Sequence, residues 1–446
     1  MTPPFAMTHL LEHNGSPPDH ADAVVIGGGI IGVMSAWELA KSGLSVVVLE
    51  KGRVAGEQSS RNWGWIRAQG RDPAEIEIML LARQMWHEMA QTVPEDIGLR
   101  QTGVAYLAND DDEISRYAAW LKTARDFDLD SKILSRSQTR DLIPDATSGW
   151  AGALWTPSDM KAEPWIALPA LARAAVRDGV AILEGCAARG LDISAGKVSG
   201  VITEAGVIKS ERVILAGGSW SSLFLRRHGI NIPQLSVRAT VAATKPLGHV
   251  FDGGAVDSKL AFRRRADGGY TLAPSGFHEL FVGPDAFRAL RGYATALIAD
   301  PLGTRLLPKA PKGFPDAWGT ERHWADDAVT PFEKMRVLNP TPNATKVAKL
   351  ARDFGTTFPP LGAVEINMAW AGMIDTMPDV VPIVDHAPLE GLTIATGMCG
   401  HGFGIGPAFG QIAAQLALGI APKFDLSRFR FSRFHDGSKL HLGPNL

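Results

Sequence analysis

Cysteine is nearly absent from this sequence of 446 residues. The two that occur, Cys186 and Cys399, lie far apart, so we expect neither a disulfide framework nor a bound metal. No apolar run is long enough to cross a bilayer. An excess of one charge is also lacking, because the net charge is −2 at pH 7. We therefore expect no nucleic-acid partner and no membrane span.

We also expect that the first residues are not a signal peptide. Residues 1–20 are polar, carry Pro3, Pro4, Pro17 and Pro18, and have no apolar core. We interpret residues 1–20 as a flexible N-terminal tail and expect a cytoplasmic protein. The length of 446 residues exceeds that of a usual single domain, so two domains are expected.

A dinucleotide-binding pattern follows the tail. The apolar run 23–26 predicts a strand, the glycines of the Gly-x-Gly-x-x-Gly motif follow it, and a helix-forming run and a second strand lead to Glu50. The glycines would allow the backbone to approach a pyrophosphate at the helix N-terminus, and Glu50 would accept hydrogen bonds from a ribose. The residues predicted to bind the phosphates are Gly27, Gly29, Ile30, Ile31 and Gly32.

Three further segments have the composition of a ligand site. Residues 57–67 place hydroxyl, amide and guanidinium groups among glycines and tryptophans. Residues 213–220 form an apolar strand that ends in Gly217 and Gly218, and residues 400–407 place several glycines at a predicted helix start. Residues 233–364 differ in character, with frequent prolines and alternating β-branched residues, and this indicates a second domain.

The order of these segments resembles the FAD-dependent amine oxidoreductases of the D-amino acid oxidase superfamily, especially the sarcosine and glycine oxidase branch. The resemblance implies an α/β protein in which a discontinuous, Rossmann-like FAD-binding domain carries an inserted α+β substrate domain with a mixed or antiparallel sheet. We assign residues 21–100, 157–232 and 365–446 to the FAD-binding domain, and residues 101–156 and 233–364 to the substrate-binding domain.

The resemblance also implies which residues contact FAD. In the sarcosine oxidase branch a cysteine often tethers the flavin, whereas this chain has Gly372 near that place, so we predict non-covalent FAD. The further residues predicted to bind the cofactor are Lys51, Ser59, Ser60, Arg61, Asn62, Trp63, Gly64, Ala188, Ala216, Gly217, Trp220, Gly372, Asp375, Gly400, His401, Gly402, Phe403 and Gly404.

For the substrate, Arg67 matches the arginine of the family that binds a carboxylate. The second cation of the family corresponds to Gly404, so we predict Arg264 or a neighbour in the run 263–265 in its place, with a solvated turn as the alternative for that run. Tyr270 and Trp65 are candidate lining residues whose alternative is a place in the core. The lysine with which the branch promotes oxygen reactivity corresponds approximately to Phe281. For His401 we favour a structural role against the flavin over that of a catalytic base.

These features predict FAD-dependent oxidation of the C–N bond of a small amino acid or an acidic secondary amine, of the iminodiacetate, sarcosine or N-carboxymethyl type. Hydride transfer to the flavin would give an imine, which water hydrolyses, and the electrons would pass to oxygen or another acceptor. Three alternatives stay open. They are a D-amino acid or cyclic imino acid dehydrogenase that reduces a quinone, an NAD-dependent dehydrogenase, and a non-catalytic flavoprotein subunit.

Overall fold

The computed structural model describes residues 10–300 and 303–443. The helices are α1 (Ile30–Lys41), α2 (Gln58–Arg61), α3 (Pro73–Thr92), α4 (Asp111–Asp126), α5 (Arg136–Leu142), α6 (Pro164–Arg177), α7 (Ser221–Arg227), α8 (Pro284–Ala299), α9 (Pro331–Lys334), α10 (Ala344–Thr357) and α11 (Gly402–Ala417). The strands are β1 (Ala23–Ile26), β2 (Val46–Glu50), β3 (Trp65–Ile66), β4 (Arg100–Gln101), β5 (Val104–Ala108), β6 (Lys132–Ser135), β7 (Gly152–Thr156), β8 (Met160–Lys161), β9 (Val180–Glu184), β10 (Ala188–Ser194), β11 (Lys197–Thr203), β12 (Gly206–Lys209), β13 (Val213–Leu215), β14 (Leu235–Thr244), β15 (Gly254–Val256), β16 (Leu260–Arg264), β17 (Tyr270–Pro274), β18 (His278–Phe281), β19 (Thr304–Leu307), β20 (Ile366–Thr376), β21 (Ile383–His386) and β22 (Leu392–Thr396).

The first sheet has six strands in the order β21-β22-β13-β1-β2-β9. Its pairs are parallel except for β21 with β22. Every residue of β1 is buried, because helices cover a parallel sheet on its faces and its strands must be apolar throughout. Helix α1 packs between α11 and α6 over this sheet. The α/β fold class predicted from the sequence is thereby confirmed.

The second sheet has ten strands and is mostly antiparallel. It combines β5, β6 and β7 with the strands β14 to β19, and so joins the two sequence segments that were assigned to the substrate-binding domain. One boundary needs correction. Strand β20, which the sequence assigns to the FAD-binding domain, pairs with β14 from Ile366 to Thr376. It belongs to the second sheet, and the chain returns to the first sheet only with β21.

Side chains alternate between the two faces of this second sheet, as in any strand. One face of β14, β16 and β17 presents Val241, Arg263 and Thr271 towards the first sheet. On the other face, Phe262 and Tyr270 pack against Phe354 of α10. This alternation decides which polar residues of β16 and β17 can reach a ligand between the two sheets.

Residues 10–20 were predicted to be part of a flexible tail, but they contact the rest of the protein. Residues 1–9 lie outside the described residues, but Glu12 and His13 donate backbone hydrogen bonds of 2.7 and 2.9 Å to Glu184. The Asp19 carbonyl accepts a 2.9 Å hydrogen bond from Lys209. The segment is therefore anchored at both ends against β9 and β12. Across residues 10–300 and 303–443, no helix is both long and apolar enough to cross a membrane.

Candidate active site

Two cavities meet between the two sheets. The first lies at the carboxyl ends of β1, β2 and β13, which is where α/β folds bind ligands. The second lies under the second sheet, between β14, α4 and the turn before α11. Four residues line both cavities, so a ligand in the first can reach the second at this junction; they are Gln58, Asn62, Gly400 and Phe403.

The backbone of the first cavity is packed too closely for side chains. Gly27 has φ +119°, and a Cβ atom there would lie 2.3 Å from the Ala216 carbonyl oxygen. A Cβ atom on Gly32 would lie 1.9 Å from the carbonyl oxygen of Gly27. Helix α1 therefore begins directly against β1, and its first turn faces the cavity with no side-chain cap from Gly29. Its free N–H groups and positive dipole end suit a phosphate.

Glu50, the last residue of β2, also lines the first cavity. Its carboxylate accepts hydrogen bonds from Gly28 N at 2.8 Å and Gly52 N at 2.7 Å. Burial raises the pKa of Glu50 to about 7, against the opposing effect of Lys51. The ionised carboxylate is an acceptor at the end of β2, where a ribose hydroxyl would be bound.

The segment 59–64 separates into ligand-facing and structural residues. Ser59 Oγ accepts a hydrogen bond from Ile30 N at 3.0 Å and lines the first cavity. Ser60 is fully buried and its hydroxyl donates to Ala55, away from the cavity. Arg61 donates to Asn339 at 2.7 Å and to the Ala371 carbonyl at 2.8 Å, so it fastens this segment to β20.

Lys51 and Trp220 form the far end of the first cavity. Lys51 Nζ lies 4.4 Å from the centre of the Trp220 ring and 2.6 Å from Glu57. The Trp220 indole donates to Glu57 at 3.1 Å and packs against Phe332 at 5.6 Å. The sequence pattern missed Glu57 and Phe332, since Phe332 comes from α9 in the second domain.

The turn before α11 is held by buried groups on both sides. Asp375 accepts hydrogen bonds from Gly397 N at 2.8 Å and Met398 N at 3.2 Å. On the other side, the Trp86 indole donates to the Gly404 carbonyl at 2.8 Å. Asp375 and Gly404 therefore fix the shape of the turn, and Gly400, Gly402 and Phe403 are the residues that line the first cavity.

Gly372 on β20 leaves room for Gln58 at the junction. A Cβ atom at Gly372 would lie 2.1 Å from Gln58 Oε1 and 3.2 Å from Arg61 Cβ. A cysteine there would displace both side chains, which agrees with the prediction of a non-covalent cofactor. Gln58 Oε1 is buried and has no hydrogen-bond partner among the described residues, so a ligand at the junction could donate to it.

The structure brings most of the predicted cofactor residues to one of the two cavities. Arg61, Trp63 and His401 line the second cavity only. Gly32, Ser60, Gly64, Gly372 and Gly404 line neither and act by packing or by close backbone approach. The predicted residues that line the first cavity are Gly27, Gly29, Ile30, Ile31, Glu50, Lys51, Ser59, Asn62, Ala188, Ala216, Gly217, Trp220, Asp375, Gly400, Gly402 and Phe403.

The second cavity has a volume of about 420 Å³. Its walls combine several charged and polar groups with a larger apolar and aromatic area, and Thr240 and His278 line it on the side of the second sheet. The aromatic and aliphatic residues that line it include Trp63, Trp65, Tyr106, Tyr117, Val241, Ile374 and Phe403.

Two arginines lie on one wall of this cavity. Arg67 and Arg71 both come from the loop between β3 and α3. Arg67 lies over the Tyr106 ring at 5.4 Å and donates to the Gln69 carbonyl. Arg71 is 3% exposed, and its Nη1 has no hydrogen-bond partner among the described residues. Burial, followed by the charge of Arg67, lowers the pKa of Arg71 to about 10, so it stays a cation at neutral pH.

Asp159 holds this loop in place. It is fully buried, and its carboxylate accepts hydrogen bonds from Ala68 N at 2.7 Å and Gln69 N at 3.3 Å. Burial raises the pKa of Asp159 to about 6. The loop ends at Asp72, whose side chain accepts from Ala74 N at 3.0 Å and caps α3. The two arginines are thus positioned by buried contacts and not by a flexible loop.

A family model described as FAD dependent oxidoreductase, the DAO family, matches residues 22–416. The chain belongs to this family. The fold, the FAD dependence and the resemblance to the sarcosine and glycine oxidase branch are therefore confirmed. The glycine cradle, the partnerless Gln58 Oε1 and the acceptor Glu50 fit an FAD that extends from the first cavity to the junction.

Known proteins resemble the chain over nearly its whole length. The L-amino acid deaminase of Proteus myxofaciens, solved in complex with anthranilate, has a TM-score of 0.90 and 29% identity, covering 95% of this chain and 96% of that one. Sarcosine oxidase subunit beta of Rhizobium meliloti is 25% identical over 94% of this chain and 90% of its own length. Mitochondrial sarcosine dehydrogenase of Mus musculus is 26% identical, but the match covers 59% of this chain and 30% of that protein.

The predictions of Arg264 and Tyr270 as substrate-binding residues disagree with the structure. Neither residue lines the second cavity. The Tyr270 hydroxyl donates to the Gly248 carbonyl at 3.1 Å, and Arg264 donates to that hydroxyl at 2.9 Å. Both lie on the outer face of the second sheet, because side chains on a strand alternate and Arg263 takes the inner face.

Arg263 cannot replace Arg264 as the second cation. It forms a bidentate ion pair with Glu163, at 2.8 and 3.1 Å, and both side chains are buried. The approximate match of Phe281 to a flavin-facing lysine is likewise not supported, since Phe281 packs against Phe314 at 5.8 Å, outside the second cavity. The second cation that the sequence pattern missed is Arg71. Arg71 lies four residues after Arg67 and directly before Asp72, the N-cap residue of α3. This spacing is the sequence signal that could have identified Arg71.

Proposed function

We propose that the protein is an amino acid oxidoreductase that binds the substrate carboxylate between Arg67 and Arg71 and oxidises the Cα–N single bond to an imine, with loss of the electron pair of the Cα–H bond. The observation that carries this proposal is Arg71. A buried guanidinium with a partnerless Nη1 in a cavity is costly unless an anion completes it. A carboxylate accepts hydrogen bonds from arginines in a well-defined geometry, which makes it the best-matched anion.

The rest of the cavity favours an amino acid with an apolar or aromatic side chain. The cavity that contains the two arginines is also lined by Trp65, Tyr106, Tyr117 and Ile374. An N-carboxymethyl substrate would need a further cation for its second carboxylate. Two other arginines line the cavity. Arg61 donates to Asn339 and to the Ala371 carbonyl, and Arg116 lies 3.5 Å from Glu113, which offsets its charge. The likeness to an L-amino acid deaminase supports an amino acid substrate of the L configuration.

In this arrangement the protein binds and orients, while FAD, when bound, accepts the electrons. Arg67 and Arg71 fix the carboxylate, and the aromatic walls exclude water from the Cα–H bond. The junction residues Asn62, Gly400 and Phe403 bring the substrate beside the cofactor site. Water then hydrolyses the imine to a keto acid and ammonium. Oxygen as the electron acceptor stays a prediction.

The test is the visible spectrum of the purified holoenzyme under anaerobic conditions. The panel contains L- and D-phenylalanine, L- and D-leucine, proline, glycine, sarcosine and iminodiacetate. We expect the apolar L-amino acids to bleach the flavin band, with one equivalent of keto acid and ammonium formed per flavin reduced. Bleaching by iminodiacetate or sarcosine alone would overturn the proposed substrate class and support the acidic or secondary amine predicted from the sequence. Bleaching by none would overturn the proposed function.

A further inference from the structure

A buried carboxylate lies directly behind His401. Glu75, the third residue of α3, is fully buried, and its carboxylate lies 3.4 Å from His401 Nδ1. Both oxygens of the Glu75 carboxylate lie 3.4 Å from His401 Nδ1, and Oε2 has no hydrogen bond of good geometry among the described residues. A buried carboxylate needs compensating charge or hydrogen bonds. Glu75 has no role in the proposed binding of the substrate carboxylate by Arg67 and Arg71.

The charges around Glu75 keep it ionised. Burial opposes ionisation, but four effects lower the pKa of Glu75 below its ordinary value. They are the charge of His401 while it is protonated, the hydrogen bond from His401, and the charges of Arg71 and Arg67, of which the last three persist when His401 is neutral. An ionised carboxylate can only accept hydrogen bonds. The hydrogen of a neutral His401 must then be on Nδ1, and Nε2 is left as an acceptor. No described residue donates a hydrogen bond to Nε2, and His401 lines the substrate cavity.

We propose that His401 removes the proton from the ammonium group of the bound amino acid through Nε2, and that Glu75 is the positioning residue that sets its tautomer. The inference rests on the proposed function. An N–H bond of the ammonium breaks, its electron pair stays on the amine nitrogen, and a new Nε2–H bond forms. The resulting imidazolium lies against the Glu75 carboxylate. Only the neutral amine has the lone pair that forms the C=N bond, so oxidation at the Cα–H bond requires this proton transfer.

Binding of the substrate carboxylate would strengthen this base. The charged groups facing His401 are Glu75 from α3 and Arg67 and Arg71 from the preceding loop, and the neighbouring Cys399 is kept neutral by burial, which raises its thiol pKa. Burial, then Arg71 and Arg67, lower the pKa of His401 to about 4 against the effect of Glu75. A carboxylate on the two arginines offsets their charges and raises the pKa of His401. Proton removal is thus coupled to correct binding.

The first test is the pH dependence of anaerobic flavin bleaching by the amino acid that reduces the wild-type holoenzyme. We expect Glu75→Gln and His401→Asn to slow bleaching about 100-fold at pH 7, the usual contribution of a general base. The variants should bleach as fast as the wild type near about pH 10, where much of the amino acid is already a free amine. Glu77→Gln is the matched control, because Glu77 lies two residues further along α3 and is exposed. The proposal would be overturned if the two variants bleached more slowly than the wild type by the same factor at every pH, or if they bleached as fast as the wild type.

The second test does not need turnover. In protein labelled with [15N]histidine, the His401 resonances are identified by their loss in His401→Asn. We expect the Nδ1–H tautomer in the wild type and a mixture of tautomers in Glu75→Gln. Addition of benzoate, an unreactive carboxylate, should move the titration of His401 to higher pH. A wild-type Nε2–H tautomer, or a titration that benzoate leaves unchanged, would contradict the inference even if the proposed function holds. A wild-type flavin that no amino acid bleaches would instead contradict the proposed function.

Discussion

The two cavities of this protein are built from different parts of the chain. The cofactor cavity is formed mainly by backbone, at glycine turns that follow β1, β13 and β22. The substrate cavity is formed by side chains, with Arg71 from a loop, Tyr106 from β5, Val241 from β14 and His401 from the turn before α11. The comparison teaches that a ligand recognised through main-chain groups leaves a motif in the sequence, whereas one recognised through side chains does not.

The strongest way to break the cofactor cavity is to add one methyl group to its backbone. In Gly32→Ala the new Cβ would lie 1.9 Å from the Gly27 carbonyl oxygen, so α1 must move away from β1. Overpacking of this kind costs about 1–3 kcal/mol, and we expect the protein to be purified without its yellow colour. FAD titration of the apoprotein measures the loss. Gly149→Ala is the control, because a Cβ there meets nothing within 4 Å. Normal FAD affinity in Gly32→Ala would refute the close-packing argument.

The corresponding change in the substrate cavity is Arg71→Met, which keeps an unbranched apolar stem and removes the guanidinium and its charge. A hydrogen bond to a charged group contributes about 1.5–3 kcal/mol, so we expect KM for the amino acid to rise about 10- to 100-fold with FAD still bound. Steady-state kinetics measure KM, and the flavin spectrum measures how much FAD is bound. In Arg264→Met, on the outer face of the second sheet, KM should not change. An equal effect of both variants would show that Arg71 acts through overall charge.

Glu50 tests whether the cofactor cavity also depends on a side chain. Burial raises the pKa of Glu50 to about 7, so the ionised, ribose-binding form is lost as the pH falls through 7. Between pH 8 and pH 6 the ionised fraction falls about tenfold, and we expect the Kd for FAD to rise about as much. Glu50→Gln should remove this pH dependence, while Glu38→Gln on α1 should keep it. A pH-independent Kd in the wild type would exclude Glu50 as a titrating ligand.

The smallest expected effect concerns the outer face of the second sheet. Tyr270→Phe removes the hydroxyl that accepts a 2.9 Å hydrogen bond from Val250 N, and a buried N–H without a partner costs about 1–3 kcal/mol. We expect Tm to fall by about 2 °C or slightly more with KM unchanged, as measured by calorimetry and kinetics. An increase in KM at unchanged Tm would show instead that Tyr270 takes part in substrate binding.

Much of the cofactor site could be predicted because its parts are local. The strand, the glycine turn, the helix and Glu50 follow one another within about 30 residues, and each imposes its own composition. The same is true of the glycines before α11. The domain boundary at residue 365 was wrong because composition cannot show which sheet a strand joins, and β20 is placed by its pairing with β14.

By itself, the sequence determined the family, the cofactor and the backbone cradle that holds it, since glycines at a fixed spacing are required wherever two main chains approach closely. Only the tertiary structure decided which charged side chains meet. The alternation of side chains along β16 and β17 places Arg264 and Tyr270 on the outer face, and Glu163 neutralises Arg263. A loop held by Asp159 places Arg71 beside Arg67, and α3 places Glu75 behind His401. These contacts depend on the relative positions of distant elements, which no local pattern encodes.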